Sequence, residues 1–268
     1  PPKRGSKVVR HLAVRPDNRI VPARPGETIL EAVLRESIKM PYDCRNGGCG
    51  QCKCTVLYGD VELGPYQASV LTDEERAAGK VLACIAVPKS DLEVEYEPIE
   101  LPGGLRPKVW RAKVASMAKA ADDVMIVQLA VEGDEPLLYY AGQYVNILLP
   151  DGAKRAFSFA TAPGASPTIE LQVRRVAGGR YTTHVFEQMK VGDTVEFEGP
   201  LGSFFLREDS AKPILFVAGA TGFAPVKSMV EHAFATGLKR RMVLYWGTRT
   251  LRDMYARELC ERWAKEHP

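Results

Sequence analysis

Cys44, Cys49, Cys52 and Cys84 stand in the spacing C-x₄-C-x₂-C-x₃₁-C. Three thiols crowd into one loop and a fourth returns from a distant element, so the fold of this region must bring all four together. The run Asp43-Cys44-Arg45-Asn46-Gly47-Gly48-Cys49-Gly50-Gln51-Cys52 supplies what an iron–sulfur centre needs. Four thiolates around two irons make an anionic object, which has to be wrapped by backbone N–H donors rather than bulky side chains. Gly47, Gly48 and Gly50 let the backbone turn inward, some of it at positive φ. Arg45 and Lys53 add positive charge nearby.

This is the spacing by which a plant-type [2Fe–2S] cluster is held, which makes Cys44, Cys49, Cys52 and Cys84 the candidate ligands. A structural zinc site is the weaker reading, because it calls for two close cysteine pairs and Cys49–Cys52 is the only C-x₂-C. A disulfide framework fits poorly with a chain this long and cysteine-poor that shows no signal peptide. Cys54, alternating with Cys52 along an expected strand, and Cys260 lie outside the pattern and read as ordinary reduced thiols.

At 268 residues the chain has room for two or three domains. Its 46% hydrophobic and 26% charged residues are those of a soluble globular protein, and no apolar run is long enough to span a membrane. A formal net charge of +3 is too small and too dispersed to argue for nucleic acid. Reduced cysteines without a targeting segment point to a cytoplasmic protein, expected to be a monomer.

Three segments follow one another. Residues 1–97 hold short alternating stretches, a capping box at Thr28-Ile29-Leu30-Glu31 opening a helix, and a second capping box at Thr72–Glu75. The apolar/acidic alternation of Asp91 to Glu97 closes the segment, and short strands with one helix across them describe a β-grasp module. That acidic face reads either as a docking surface for an electron acceptor or, preferred here, as a solvated strand edge. Residues 98–107, with three prolines and Gly103-Gly104, form a linker. Six strand-like stretches over residues 108–208 suggest a small antiparallel β-barrel. Residues 209–268 read β-α-β-α, the start of a parallel α/β sheet. The fold class expected is multi-domain α+β.

Two of these segments carry further motifs. On a strand, Arg155 and Phe157 share one face and Ser158 takes the other. A guanidinium grips a pyrophosphate, an aromatic ring lies against a flavin, and a hydroxyl can reach a flavin ring nitrogen. The plainer alternative is a core Phe157 and a surface Arg155. Gly178-Gly179-Arg180-Tyr181-Thr182-Thr183 precedes an expected helix at 184–189 and reads equally as an anion site with hydroxyl donors or as a hairpin turn. Gly219-Ala220-Thr221-Gly222-Phe223-Ala224-Pro225 lies between a buried strand and a helix, where open α/β sheets dock a nucleotide pyrophosphate, although its spacing is not G-x-G-x-x-G.

In this order the signals resemble the ferredoxin–NADP reductase superfamily, in the branch with an N-terminal plant-type ferredoxin. The likeness is to reductase components of ring-hydroxylating oxygenases and to CDP-6-deoxyglucoseen reductase-like proteins. Arg155-Ala156-Phe157-Ser158 resembles that family's R-x-Y-S flavin motif, with Phe157 for Tyr. Gly179 to Thr182 is similar to its second FAD-phosphate segment. Gly219, Thr221, Gly222 and Pro225 match its G-G-T-G-x-x-P nucleotide turn, with Ala220 for the second Gly. The resemblance implies FAD, a [2Fe–2S] cluster and NAD(P)H as donor, with hydride arriving near Ser158 and single electrons leaving through the cluster to a terminal oxygenase or a sugar dehydrase.

The family's nucleotide domain has about five strands, whereas only two are visible before Pro268, so a truncation is expected. A non-catalytic carrier without a working nucleotide site therefore stays in view. Arg249 or Arg252 could pair with the 2′-phosphate of NADP or lie idle on the surface; branch membership favours NADH.

Overall fold

The structure, a computed structural model, describes residues 8–98 and 105–267. Linker positions 99–104, residues 1–7 and Pro268 lie outside the described residues. The chain divides into two compact units, Pro1–Gly103 and Gly104–Pro268.

The first unit contains β1 (Arg10–Arg15), β2 (Arg19–Ala23), α1 (Ile29–Arg35), β3 (Lys53–Tyr58), β4 (Val61–Leu63), α2 (Asp73–Ala77), β5 (Lys80–Leu82), β6 (Ala86–Pro88) and β7 (Leu92–Glu95). Five strands form one sheet in the order β2-β1-β7-β3-β5, and β4 pairs with β6 apart from it. Within the five-stranded sheet only β1 and β7 run parallel. Alternation turns Leu12 and Val14 of β1 inward, where they join Ile29, Leu30 and Val33 of α1 in one core. Both capping boxes form: Glu31 N–H donates to Thr28 Oγ1 at 3.2 Å and Thr28 N–H to Glu31 Oε2 at 2.8 Å, with Thr72 and Glu75 repeating the exchange. Each cap is worth about 1 kcal/mol to a helix too short to persist alone.

β7 is not an edge strand. It lies in the middle of the sheet between β1 and β3, so its acidic alternation reflects one solvated face of a central strand. Two carboxylates of the alternating stretch are also engaged, Asp91 just ahead of β7 by His11 N–H at 2.8 Å and Glu93 within it by Arg15.

In the second unit β8 (Lys108–Ala121), β9 (Val124–Val131), β10 (Tyr144–Leu148), β11 (Lys154–Ser158), β12 (Thr168–Arg174) and β13 (Thr194–Leu201) make an antiparallel sheet ordered β11-β10-β13-β8-β9-β12. One bridge, Phe159 to Leu171, joins its two edges. The sheet is therefore barrel-like without a continuous ladder closing it. Val145, Ile147, Phe159, Leu171 and Phe197 fill its interior. Helix α3 (Arg180–Glu187) begins four residues ahead of the stretch expected to be helical, directly after Gly179.

β14 (Ile214–Gly219) and β15 (Met242–Gly247) pair in parallel, joined by α4 (Phe223–Ala235) and followed by α5 (Arg257–Glu266). Phe216 and Ala218 pack on Val226, Met229 and Val230 of α4. Leu215 and Val217, on the opposite face, are 63% and 75% exposed. That face of the two-stranded sheet is uncovered.

Candidate cofactor sites

The cysteine loop is shaped by its backbone. Arg45, Gly47 and Gly50 take φ of 56°, 75° and 79°, and a Cβ on Gly47 would fall 2.9 Å from Pro65 O. The turns aim amides at sulfur: Gly48 N–H donates to Cys44 Sγ at 3.3 Å, Gly47 N–H faces Cys84 and Gln51 N–H faces Cys49. Cys44 and Cys49 are exposed, Cys52 and Cys84 buried, and all six cysteines are free thiols.

The four thiols associate two by two, Cys49 with Cys44 and Cys52 with Cys84. Among the described residues no three His, Cys, Asp or Glu converge on a single ion position. Two pairs are what a [2Fe–2S] centre, with two cysteines to each iron, would use. Burial pushes the Cys49 thiol up. The hydrogen bond to Cys84, then burial, raises Cys52, while that same bond pulls Cys84 down to about 7, helped by Gly47 N–H and the Arg45 charge. Lys53, expected to add charge here, is taken by Glu75 at 2.6 Å. Burial pushes Cys54 up to about 12, keeping it an ordinary thiol.

β11 presents the second constellation. Arg155 is exposed and donates only to Lys154 O, at 2.8 Å, with no carboxylate partner among the described residues. Ser158 is half-buried and pairs across the ladder with Tyr144. Phe157 packs its ring 5.5 Å from that of Tyr181, so it is shared between core and surface. Gly179 is required at the start of α3, since a Cβ there would meet Thr182 Oγ1 at 2.6 Å. The Thr182 hydroxyl is spent on the turn, accepting Val176 N–H at 3.2 Å and donating to Gly179 O at 3.1 Å. An anion at this turn would meet backbone amides, not the hydroxyl expected from the sequence.

The third site is the turn from β14 to α4. Here Ala220 takes the left-handed conformation, φ 47°, and its carbonyl accepts the Trp246 indole N–H at 2.9 Å. Phe223 stacks on Trp246 with centroids 4.2 Å apart, which seats the first turn of α4. Among the described residues, chain neighbours apart, nothing lies within 4 Å of a Cβ built on Gly219 or Gly222. Side chains are absent where a phosphate would need close backbone approach. Arg249, a candidate for a 2′-phosphate, is instead bound to Asp123 at 2.8 Å and Asp253 at 3.5 Å. Asp123 also holds Arg174 at 2.9 Å. Sequence reasoning missed Asp123, 126 positions away in the chain, because nothing local marks a partner that distant.

The comparisons with known proteins agree with this order of sites. Residues 12–89 match the 2Fe-2S iron-sulfur cluster binding domain, 111–206 the oxidoreductase FAD-binding domain and 216–268 the oxidoreductase NAD-binding domain. Together these define an iron–sulfur flavoprotein oxidoreductase using a pyridine nucleotide. The chain is 37% identical over 262 residues to the reductase component DmpP of phenol 2-monooxygenase from Pseudomonas sp. (strain CF600), covering 96% of this chain and 73% of that protein. It is 34% identical over 258 residues to the CDP-6-deoxy-L-threo-D-glycero-4-hexulose-3-dehydrase reductase of Yersinia pseudotuberculosis, covering 96% and 77%. The Amycolatopsis cytochrome P450 reductase GcoB superposes with a TM-score of 0.74 at 38% identity, over 97% of this chain and 78% of that one. The chain belongs to the ferredoxin–NADP reductase superfamily, in the branch that carries an N-terminal plant-type [2Fe–2S] domain.

Proposed function

We propose that this chain is the reductase component of an oxygenase system, drawing electrons from NADH and delivering them to a separate terminal oxygenase. The observation that carries the reading is the paired cysteine loop, followed in one chain by the flavin strand and the cleared nucleotide turn. When bound, FAD accepts the electron pair of a reduced pyridine nucleotide and the cluster passes electrons on singly.

The chain's own residues bind and orient. Cys44, Cys49, Cys52 and Cys84 would hold the cluster, which would supply one-electron transfer there. Arg155 is left available for the FAD pyrophosphate, Ser158 for a flavin ring nitrogen and Phe157 for the flavin ring, with Gly179 and the first amides of α3 beneath the phosphates. Thr182 supports that turn from behind. Gly219, Thr221, Gly222 and Pro225 shape the nucleotide turn. The domains assigned are 1–97, 108–208 and 209–268, joined by a linker at 98–107. A cytoplasmic setting and a monomeric state complete the proposal, with Cys54 and Cys260 left as ordinary thiols.

The test is an anaerobic titration of purified protein with NADH and then NADPH. Bleaching of a flavin band near ~450 nm and of the cluster shoulders by NADH is the expected result. Bands that respond to dithionite and to neither nucleotide would leave a carrier without a working nucleotide site. The likeness at 34% identity to a dehydrase reductase supports a second reading, the same electron path serving a sugar-nucleotide dehydrase. Reconstitution with each acceptor separates the two.

Branch membership favours NADH, and Arg249, held by Asp123 and Asp253 and so withdrawn from a 2′-phosphate, supports it, while Arg252 stays exposed. In Asp123→Asn the arginine keeps only its longer contact to Asp253, and the NADPH to NADH ratio of kcat/KM should rise up to about fivefold, the ceiling for an ion pair of ~1 kcal/mol. An unchanged ratio would remove Arg249 from the argument.

A further inference from the structure

Side chains outside the motifs tie the nucleotide turn to the flavin strand. Beyond Ser158 the strand crosses from one edge of the barrel-like sheet to the other: Phe159 N–H donates to Gln143 O at 3.0 Å and Ala160 N–H to Glu170 O at 2.9 Å. The carbonyls of Ala160 and Thr161 are then taken by α4. Lys227 Nζ donates to Ala160 O at 3.0 Å and Ser228 Oγ to Thr161 O at 2.7 Å. Both donors lie in the second turn of α4, one turn beyond Gly222.

The seat is stiff. Ser228 is fully buried. The Lys227 ammonium sits between Glu170 at 3.6 Å and Glu231 at 3.1 Å. Glu170 is itself buried and accepts Gln128 Nε2 at 3.0 Å and Gln172 Nε2 at 2.9 Å. Swinging Lys227 out would strip a buried carboxylate of its cation, a costly change. Nearby, the Met229 side chain of α4 reaches over Gly142, where a Cβ would lie 2.4 Å from its Cε, so the helix packs on the turn that leads into β10.

We propose that Lys227 and Ser228 are positioning residues for hydride transfer: their paired hydrogen bonds to Ala160 and Thr161 fix the nucleotide turn at 219–222 against the flavin strand at Ser158. The proposal rests on the functional reading above. One hydrogen bond would leave a pivot; two on adjacent carbonyls remove the rotation. The link is short, two residues from Ser158 on one side and about one helical turn from Gly222 on the other. Donor and acceptor sites are thus held by a rigid path, and displacing reactants by about 1 Å can cost a hundredfold in rate.

The test uses the holoprotein and the variants Ser228→Ala, Lys227→Met and Lys227→Arg. Ser228→Ala is the mild probe, since Thr161 O keeps the Tyr139 hydroxyl at 3.0 Å and is not left unpaired. Flavin reduction is followed by stopped flow with NADH and with NADH deuterated at the transferred position. At saturating nucleotide the rate should fall about tenfold in Ser228→Ala and further in Lys227→Met, with partial recovery in Lys227→Arg and nucleotide affinity held within about twofold. The deuterium effect should grow as the transfer step becomes limiting. Independently of turnover, hydrogen exchange of the amides at 219–226 should quicken at least about tenfold in both loss variants.

A fall in melting temperature with unchanged saturated rate, isotope effect and exchange at 219–226 would reduce the pair to packing and overturn the proposal. Wild-type flavin that no nucleotide reduces would defeat the functional reading instead, and the exchange measurement would still decide whether the clamp fixes the turn.

Discussion

In the cysteine loop and in the nucleotide turn glycines crowd together, yet they answer to different causes. Gly47 and Gly50 adopt φ of 75° and 79°, and a side chain on either would press into Pro65 O or Val70 Cγ1 at 2.9 and 3.2 Å. The protein itself demands glycine there. Gly219 and Gly222 adopt φ of −116° and −59°, which any residue can, and a Cβ on either would meet nothing within 4 Å among the described residues, chain neighbours apart. In that second turn the left-handed position belongs to Ala220. A glycine its own chain requires reports on how a loop is shaped before anything binds. A glycine its own chain does not require reports on something that must come close.

The contrast breaks first at Gly47. In Gly47→Ala the left-handed backbone alone costs ~1–2 kcal/mol, and the collision with a backbone oxygen brings the expected loss to about 3 kcal/mol. Urea unfolding and the iron and sulfide content of the purified protein check it; wild-type stability with a full cluster would show that the loop does not need this turn. Gly222→Ala should behave in the opposite way, with stability within about 0.5 kcal/mol of wild type. KM for NADH should rise about tenfold while kcat holds, the pattern of lost ground-state binding. Altered stability with unaltered KM would reverse the assignment of causes.

The same distinction explains what could be read from the chain. The cysteine spacing was legible because its glycines act within a few residues of the thiols. The two capping boxes were legible for the same reason. Beyond reach were the facts set by distant partners. The alternation of β7 demanded one wet face, and its place in mid-sheet came from parallel pairing with β1. The Thr182 hydroxyl, which the sequence left open between a ligand and its own turn, accepts Val176 N–H. Arg249 found Asp123, and Lys227, in plain sight after the nucleotide turn, found Ala160 O and Glu170. Each of these is a tertiary choice among partners that local pattern leaves equal.

Ala220→Gly is the subtlest way to sharpen the comparison, because it restores glycine where the backbone, and not a ligand, asks for it. An alanine at φ 47° carries the ~1–2 kcal/mol penalty of left-handed backbone. Glycine removes that penalty and loses about 0.5–1 kcal/mol through the greater freedom of its unfolded state. The net expected gain is about 0.5 kcal/mol. The Trp246 bond to the residue 220 carbonyl and the Phe223–Trp246 stack do not involve the alanine methyl, so the turn keeps its shape and KM for NADH should stay within about twofold. Thermal and urea unfolding against nucleotide titration separate the outcomes. A stability gain with constant KM means that Trp246 sets the conformation and Ala220 merely tolerates it. A loss of stability would mean that the methyl group makes a packing contribution larger than the strain it causes.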